Sequence, residues 1–144
     1  MTIIIIIYLI ILALLHARVE IMIEGKSGWA LRLPCWRIDN CVTRFIIGKE
    51  ITGYHCWLIV MFLFLFHSPF LFISWNIKKE LLTLGLFNWY WIAEDFFWFV
   101  ESKYYGFKNF KKGRIFWHKR WILGIPVSYW GAAIVGSLLI LGGI

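Results

Sequence analysis

Apolar residues dominate this chain in four long stretches, and polar residues are collected between them. A helix that crosses the hydrocarbon core of a bilayer, about 30 Å thick, needs roughly 20 mostly apolar residues. The four stretches approach or reach this length, and they cover residues 2–17, 52–75, 81–100 and 121–144. The pattern predicts an all-α integral membrane protein, a single transmembrane domain over residues 1–144 with four transmembrane helices in a small bundle.

The first stretch is the shortest and admits a second interpretation. It reaches spanning length if its helix continues through Arg18, Glu20 and Ile23. It also resembles a secretory signal, because residues 15–17 loosely match a cleavage site. Against cleavage, no Lys or Arg precedes the apolar core, and Leu15 is larger than that position of a cleavage site prefers. We expect the segment to be retained as a membrane span.

Composition indicates the same environment. Hydrophobic residues make up 61% of the 144 residues and charged residues 16%, and the mean hydropathy is +0.74. A soluble domain averages about 45–50% apolar and about 25% charged residues. A chain this short would not bury so much apolar surface in one aqueous core. The same values exclude a disordered chain, a collagen-like repeat and a disulfide framework.

The 15 Lys and Arg residues are placed unevenly. Six lie in the predicted loop 18–51, seven lie in the predicted loop 101–120, and the remaining two are Lys78 and Lys79. Loops rich in Lys and Arg stay on the cytoplasmic side of a membrane. We therefore expect both basic loops inside, both termini on the non-cytoplasmic side, and a prokaryotic cytoplasmic membrane as the location.

The second basic loop alternates cations with aromatic residues. Such a stretch suits phosphate pairing and base stacking on nucleic acid, but beside two spans it is more typical of an aromatic belt that contacts anionic lipids. We predict membrane lipids as partners and no nucleic acid. The predicted headgroup contacts are Lys108, Lys111, Lys112, Arg114, Lys119 and Arg120.

Ionisable side chains within the predicted spans carry the chemical interest. An acid inside a spanning helix costs about 2.5–3.5 kcal/mol on insertion scales, so it needs a partner or a function. Glu94 and Asp95 lie inside the cytoplasmic end of the third span, and the side of that helix that carries Asp95 and Trp98 is expected to face inward. The predicted topology brings polar residues from every span to one depth. The predicted layer contains His16, Glu20, His55, Glu94, Asp95 and His118.

Three interpretations of this layer stay open. In the structural one, Glu94 and Asp95 pair with Arg18, Lys119 or Arg120, and the histidines are ordinary interfacial residues. In the second, His and carboxylate ligands from several helices bind zinc or iron, as in bundle cores that hold metals. The third is a proton or ion pathway. The sequence contains neither a repeated Glu-x-x-His nor a His-x-x-x-His motif.

A bend is predicted in the second span at Pro69. Proline removes one helical hydrogen bond and frees the carbonyl of Leu65, which Ser68 and a neutral His67 are placed to satisfy. By depth, Asn88 of the third span lies within reach of His67. The sequence therefore predicts a local kink rather than a ligand here.

Small residues in the fourth span predict close helix packing. Ala132 and Gly136 are four residues apart, the spacing that lets two backbones approach. Internal packing and self-association or a partner helix would use this face equally well. Cys35, Cys41 and Cys56 match no zinc or redox spacing, and we interpret them as thiols without a structural role.

A run of local signatures carries a family resemblance. By these segments the chain resembles an uncharacterised group of small prokaryotic polytopic membrane proteins that has no assigned activity, over most of the sequence after the first span. The resemblance implies a membrane location and no particular chemistry. The segments are Glu24-Gly25-Lys26, Gly28-Trp29-Ala30, Leu33-Pro34 with Trp36-Arg37, Thr52-Gly53-Tyr54-His55, Glu94-Asp95 with Trp98-Phe99, Trp117-His118-Lys119-Arg120-Trp121, Pro126 and Tyr129-Trp130.

Two functional classes follow from these patterns. The first is a non-enzymatic membrane subunit or lipid-binding component, in which the buried charges fix helix packing. The second is a metal-dependent membrane enzyme that acts on a lipid or lipid-linked substrate through the His/carboxylate layer at the cytoplasmic side. We predict the first class and keep the second as the alternative, since the sequence contains no catalytic signature.

Overall fold

The computed structural model describes residues 3–46 and 48–144 and is mostly helical (65%). The predicted all-helical character is confirmed. Two two-stranded antiparallel sheets and two short 3-10 helices interrupt five α-helices in these residues. The α-helices are α1 (Ile3–Glu24), α2 (Cys41–Ile46), α3 (Gly53–His67), α4 (Ile77–Glu101) and α5 (Val127–Gly143). The strands are β1 (Arg37–Ile38) with β2 (Ile51–Thr52), and β3 (Trp121–Ile122) with β4 (Ile125–Pro126); the 3-10 helices are Ser68–Leu71 and Phe107–Asn109.

Two helices in the described ranges are long and apolar enough to cross a membrane. They are Ile3–Glu24 and Gly53–Leu71, the second including the 3-10 turn after α3. The helix α1 continues past Ala17 to Glu24, as the longer form of the first predicted span requires. The helix α5 is apolar but shorter, and the 25-residue α4 carries six charged residues.

The start of the fourth predicted stretch differs from a helix. Residues 121–126 form the β3–β4 hairpin, in which Trp121 pairs with Pro126 and Ile122 with Ile125. Its turn residues, Leu123 and Gly124, both have positive φ (51° and 77°), the backbone form that closes a two-residue hairpin. An apolar segment of strand and turn has the same hydropathy as a helix, so hydropathy alone missed the hairpin.

The predicted bend at Pro69 is confirmed. The helix α3 ends at His67, and the chain continues as the 3-10 helix Ser68–Leu71. The Leu65 carbonyl, which has no proline N–H to accept, accepts from the Ser68 hydroxyl (2.7 Å) and from the Ser68 backbone N–H. The imidazole of His67 donates to the Leu63 carbonyl instead (2.6 Å).

The helix α4 lies at the centre of the fold and packs against α1 and α5. Glycines bring α4 and α5 into close contact, since a Cβ on Gly85 would stand 2.8 Å from the Gly136 carbonyl oxygen. The helices α1 and α4 run in the same direction, with Ala13 beside Tyr90 and Ala17 beside Trp98. The helices α3 and α5 run the opposite way.

One end of the helical bundle is covered by the segment that follows α4. Ile115 and Trp117 of this segment pack against Ala17, Trp98 and Phe99. The same end receives the C-terminus of α1, the N-terminus of α3 and the turns of residues 25–36. The loops therefore close the bundle over the polar side chains described next.

Candidate metal centre

Buried acids and imidazoles gather at this covered end of the bundle. The second half of α1 supplies three of them, because residues four apart share one face of a helix. His16, Glu20 and Glu24 are 8%, 5% and 8% exposed. The first turn of α3 adds His55, whose backbone N–H caps onto the Thr52 hydroxyl (3.3 Å). The helix α4 adds Glu94, which is 2% exposed.

His16, Glu20 and Glu94 form the first group. One ligand atom from each residue lies within 4.8 Å of the other two. His16 Nδ1 shares a hydrogen bond with the Tyr90 hydroxyl (2.9 Å) and stands 3.9 Å from Glu94 Oε1. In the described part of the chain, no hydrogen-bond partner reaches His16 Nε2, Glu20 Oε1 or Glu94 Oε1. Each side chain of this group therefore has one buried polar atom that lacks a hydrogen-bond partner within the described ranges.

His55, Glu20 and Glu24 form the second group, which shares Glu20 with the first. His55 Nε2 stands 3.8 Å from Glu20 Oε1 and 3.5 Å from Glu24 Oε1. The other ring nitrogen, Nδ1, is hydrogen-bonded to the Thr52 hydroxyl (2.6 Å). The indole of Trp29 stacks on the His55 ring at 3.9 Å between centroids. This imidazole is therefore held in one orientation.

The turn of residues 28–30 contacts this group. Gly28, Trp29 and Ala30 all adopt left-handed backbone conformations, with φ between 48° and 61°. Such conformations are costly for Trp and Ala, about 1–3 kcal/mol each, and cluster at functional sites. They aim the Ala30 N–H at Glu24 Oε1, which accepts it, and place Trp29 on His55.

Asp95 and His118 form a separate pair beside the first group. His118 Nε2 donates to Asp95 Oδ2 (3.0 Å), and the Tyr129 hydroxyl of α5 donates to the same oxygen. Asp95 is thus satisfied by hydrogen bonds. A cavity of about 230 Å³ joins this pair to Glu20, His55 and Glu94.

The expected ion pairs with surface cations are wrong. Arg18 pairs with Glu101 instead (2.9 Å), and Lys119 and Arg120 are exposed. Among the described residues, no Lys or Arg nitrogen lies within 4.0 Å of the carboxylates of Glu20, Glu24 or Glu94. The acids of the cluster therefore face imidazoles and one another.

Lys49 is the single Lys or Arg among the described residues that line the cavity. Its ammonium lies over the Trp29 ring, 3.2 Å from the centroid. Burial lowers the pKa of Lys49 to about 8, although the nearby carboxylates, of which Asp95 has the largest effect, act in the opposite direction. One such ammonium does not balance three buried carboxylates.

The structure brings all six predicted layer residues to this end of the bundle, and five of them line the cavity: Glu20, His55, Glu94, Asp95 and His118. The sixth residue, His16, is outside the cavity lining and lies next to Glu94, with Nδ1 3.9 Å from Glu94 Oε1. The sequence-based layer omitted Glu24, although it follows Glu20 by one helical turn. It also omitted Lys49, Tyr90 and Tyr129, since loops and hydroxyls give no periodic signal.

The inward face predicted for α4 needs correction. Tyr90 and Glu94, which lie on a different side of the helix from Asp95, are 1% and 2% exposed. Asp95 is less covered, with 27% of its side chain exposed. The helix α4 is enclosed on two sides by α1 and α5, so both faces are interior and each carries one of the adjacent acids.

The remaining predicted contacts fall outside the cluster. Gly136 is buried against Asn88 and Gly85 of α4, so internal packing uses this position, and Ala132 is half-buried at the cavity. Asn88 donates to the Leu84 carbonyl (2.9 Å) and does not contact His67. The predicted headgroup residues Lys108, Lys111, Lys112, Arg114, Lys119 and Arg120 are all exposed. The three cysteines are free thiols outside both groups.

No family model, curated protein or solved structure matches this chain. The functional argument therefore depends on the geometry of the site alone.

Proposed function

We propose that this chain is a metal-dependent integral membrane enzyme that acts on a lipid or lipid-linked substrate from the cytoplasmic side. The first metal ion is bound by His16, Glu20 and Glu94. The observation that carries the proposal is a buried group of one imidazole and two carboxylates with ligand atoms within 4.8 Å of one another, in which each side chain has one polar atom without a hydrogen-bond partner among the described residues.

Charge balance supports a cation at this position. A buried carboxylate without a partner is strongly disfavoured, and buried charges in proteins are paired or coordinate metals. Here Glu20, Glu94 and Asp95 line one cavity, and among the described residues the half-buried Lys49 supplies its single ammonium. Imidazole nitrogen and carboxylate oxygen are the ligands that zinc and iron accept. Among the described residues, no Lys or Arg pairs with the carboxylates of Glu20, Glu24 and Glu94. A divalent ion would neutralise their charge.

The topology belongs to the same proposal. Four spans place both termini outside and the loops 18–51 and 101–120 in the cytoplasm. In that arrangement the first and third spans run one way and the second and fourth run the other, which agrees with the directions of α1, α4, α3 and α5. The metal then lies just beneath the basic cytoplasmic face, where anionic lipid headgroups collect.

The surroundings of the cluster support a lipid substrate. The metal-side cavity has apolar walls from Ile59, Trp91 and Ala132. A larger apolar groove of about 640 Å³ lies beside it, between the ends of α1 and α3. Tyr54 lines this groove, and its hydroxyl is buried with Glu20 as an acidic neighbour. An acyl chain in the groove would bring its headgroup to the metal, whose bound water is the reagent that metals of this class activate.

Elemental analysis of the protein purified in mild detergent tests the proposal. We expect stoichiometric zinc or iron in the wild type, and a loss of the bound ion in Glu94→Gln. Glu80→Gln, at the opposite end of α4, is the matched control and should keep the metal. Liposomes incubated with the metal-loaded wild type should yield a lipid product by mass spectrometry, and Glu94→Gln should yield none.

A folded, monodisperse wild type that binds no added zinc or iron would contradict the proposal. That outcome favours the non-enzymatic interpretation, in which the chain is a membrane subunit or lipid-binding component. Self-association through the helix face of Ala132 belongs to that second interpretation.

A further inference from the structure

We infer that the site is dinuclear, with a second metal ion bound by Glu20, Glu24 and His55 and with Glu20 as the carboxylate that bridges the two ions. The inference rests on the proposed function and extends it to a second ion. The observation behind it is separate, because it concerns the geometry around His55 rather than the unpartnered atoms near His16.

The spacing of the second group fits ligands rather than hydrogen bonds. Hydrogen bonds between nitrogen and oxygen span about 2.7–3.2 Å, whereas His55 Nε2 stands 3.5 Å and 3.8 Å from the two carboxylate oxygens. Two ligands that are each about 2.1 Å from a tetrahedral ion stand about 3.4 Å apart. The three side chains therefore leave a space of the size that a metal ion takes.

Hydrogen bonds orient two of the three ligands in the second group, His55 and Glu24. The Thr52 hydroxyl binds His55 Nδ1, which leaves Nε2 directed at the acids. The Ala30 N–H binds one oxygen of Glu24. Metal-ligating imidazoles and carboxylates commonly have such supporting partners, which fix their orientation. The left-handed turn of residues 28–30 supplies both the Ala30 N–H and the indole stacked on His55.

The shared residue explains why the two groups are adjacent. Glu20 belongs to both groups and is 5% exposed, and among the described residues its Oε1 atom has no hydrogen-bond partner. A carboxylate can bridge two ions through one oxygen or through both. Ions in two-metal sites lie about 3.5–4 Å apart. Two imidazoles and three carboxylates then serve two divalent ions, a ligand set close to that of the di-metal carboxylate proteins.

Metal stoichiometry in matched variants tests the second ion. We expect two ions per chain in the wild type by elemental analysis, with protein quantified by amino-acid analysis. His55→Gln and Glu24→Gln should each bind one ion fewer, and Glu94→Gln should also bind one ion fewer. His67→Gln, which changes an imidazole at the other end of α3, is the control and should retain two.

Mn²⁺-loaded wild type supplies a test that needs no variant. Two ions bridged by one carboxylate should give a spin-coupled electron paramagnetic resonance signal, and His55→Gln should give the six-line signal of an isolated ion. This measurement decides the question if His55→Gln or Glu24→Gln fails to fold.

The outcomes separate the two proposals. One ion per chain with an uncoupled signal, whether or not His55→Gln removes it, would overturn the second ion and leave the metal-dependent function in place. A folded wild type without any metal would overturn both.

Discussion

The two ends of the helical bundle contain the same residue types, His and Glu, in different environments. At the far end, His67 and Glu80 form a one-to-one pair at 2.9 Å, with side chains 30% and 21% exposed. Trp75 donates a further hydrogen bond to Glu80 (2.9 Å), and both ring nitrogens of His67 face acceptors. At the covered end, the imidazoles of His16 and His55 stand 3.5–3.9 Å from the nearest acids, beyond hydrogen-bond distance, and these side chains are almost wholly buried.

This difference separates a structural pair from a ligand site. The far pair is balanced in charge, satisfied in hydrogen bonds and open to water, so it needs nothing further. The covered cluster has an excess of acid and lacks a nearby guanidinium, so it needs a cation or bound protons. The number of partners, rather than the presence of His and Glu, is the useful indicator.

The largest difference in metal affinity is expected between variants of Glu20, which belongs to both groups, and variants of Glu80. Glu20→Gln removes a ligand from both groups, and we expect it to lower metal affinity more than about 100-fold, beyond what loss of a supporting residue causes. Glu80→Gln should leave affinity unchanged. Isothermal titration of chelator-stripped protein with Zn²⁺ measures both, and equal affinities in the two variants would remove the distinction between the ends.

A smaller effect is expected from Tyr90, which holds His16 through Nδ1 (2.9 Å). Tyr90→Phe keeps the ring in the core and removes the hydrogen bond, so metal affinity should fall about 10–100-fold. Trp75→Phe removes the comparable hydrogen bond to Glu80 and serves as the control. Competition with a chromophoric chelator gives both constants, and an unchanged Tyr90→Phe would mean that His16 is not a ligand.

In metal-free protein, replacing the acid at the covered end should stabilise the fold, and replacing the acid at the far end should destabilise it. Glu94→Gln removes a buried acid that has no Lys or Arg partner among the described residues and should raise the free energy of unfolding by about 1–2 kcal/mol, whereas Glu80→Gln breaks a satisfied pair and should lower it by about 1 kcal/mol. Thermal unfolding in detergent with chelator present compares them. Destabilisation by both variants would mean that Glu94 is already paired in the absence of metal.

The smallest effect is expected from Lys49. Its ammonium repels a nearby metal ion, so Lys49→Gln should raise metal affinity, by less than about tenfold at the effective dielectric of protein sites. The pKa of Lys49 is lowered to about 8, so the wild type should gain the same increase as the pH rises through 8. Titrations at pH 7 and pH 9 should differ in the wild type more than in Lys49→Gln.

The convergence of the six polar residues could be predicted because two simple rules determine it. The helical repeat aligns His16 and Glu20 on α1, and the uneven placement of Lys and Arg predicts alternating directions for the apolar stretches, which puts His55, Asp95 and His118 at one end. Both rules depend on long segments, so the predicted convergence does not change when the end of a helix is misplaced by one or two residues.

The partners within the cluster could not be predicted from the sequence. Trp29 and Ala30 reach the site through three consecutive left-handed residues, a conformation that Trp and Ala rarely adopt. Glu80 meets His67 because a 3-10 turn reverses the chain between them. Tyr90 and Glu94 are interior because α1 covers their face of α4, while Tyr129 of α5 lies on the face that carries Asp95. Each of these contacts depends on tertiary packing.

X-ray absorption spectroscopy of the zinc-loaded protein tests the central claim most directly, since it reports the atoms bound to the ion. The account predicts nitrogen and oxygen scatterers at about 2.0–2.2 Å with the outer-shell features of imidazole. Sulfur at about 2.3 Å would assign the ion to Cys35, Cys41 or Cys56 and contradict the account. A spectrum of hydrated zinc alone would contradict it equally.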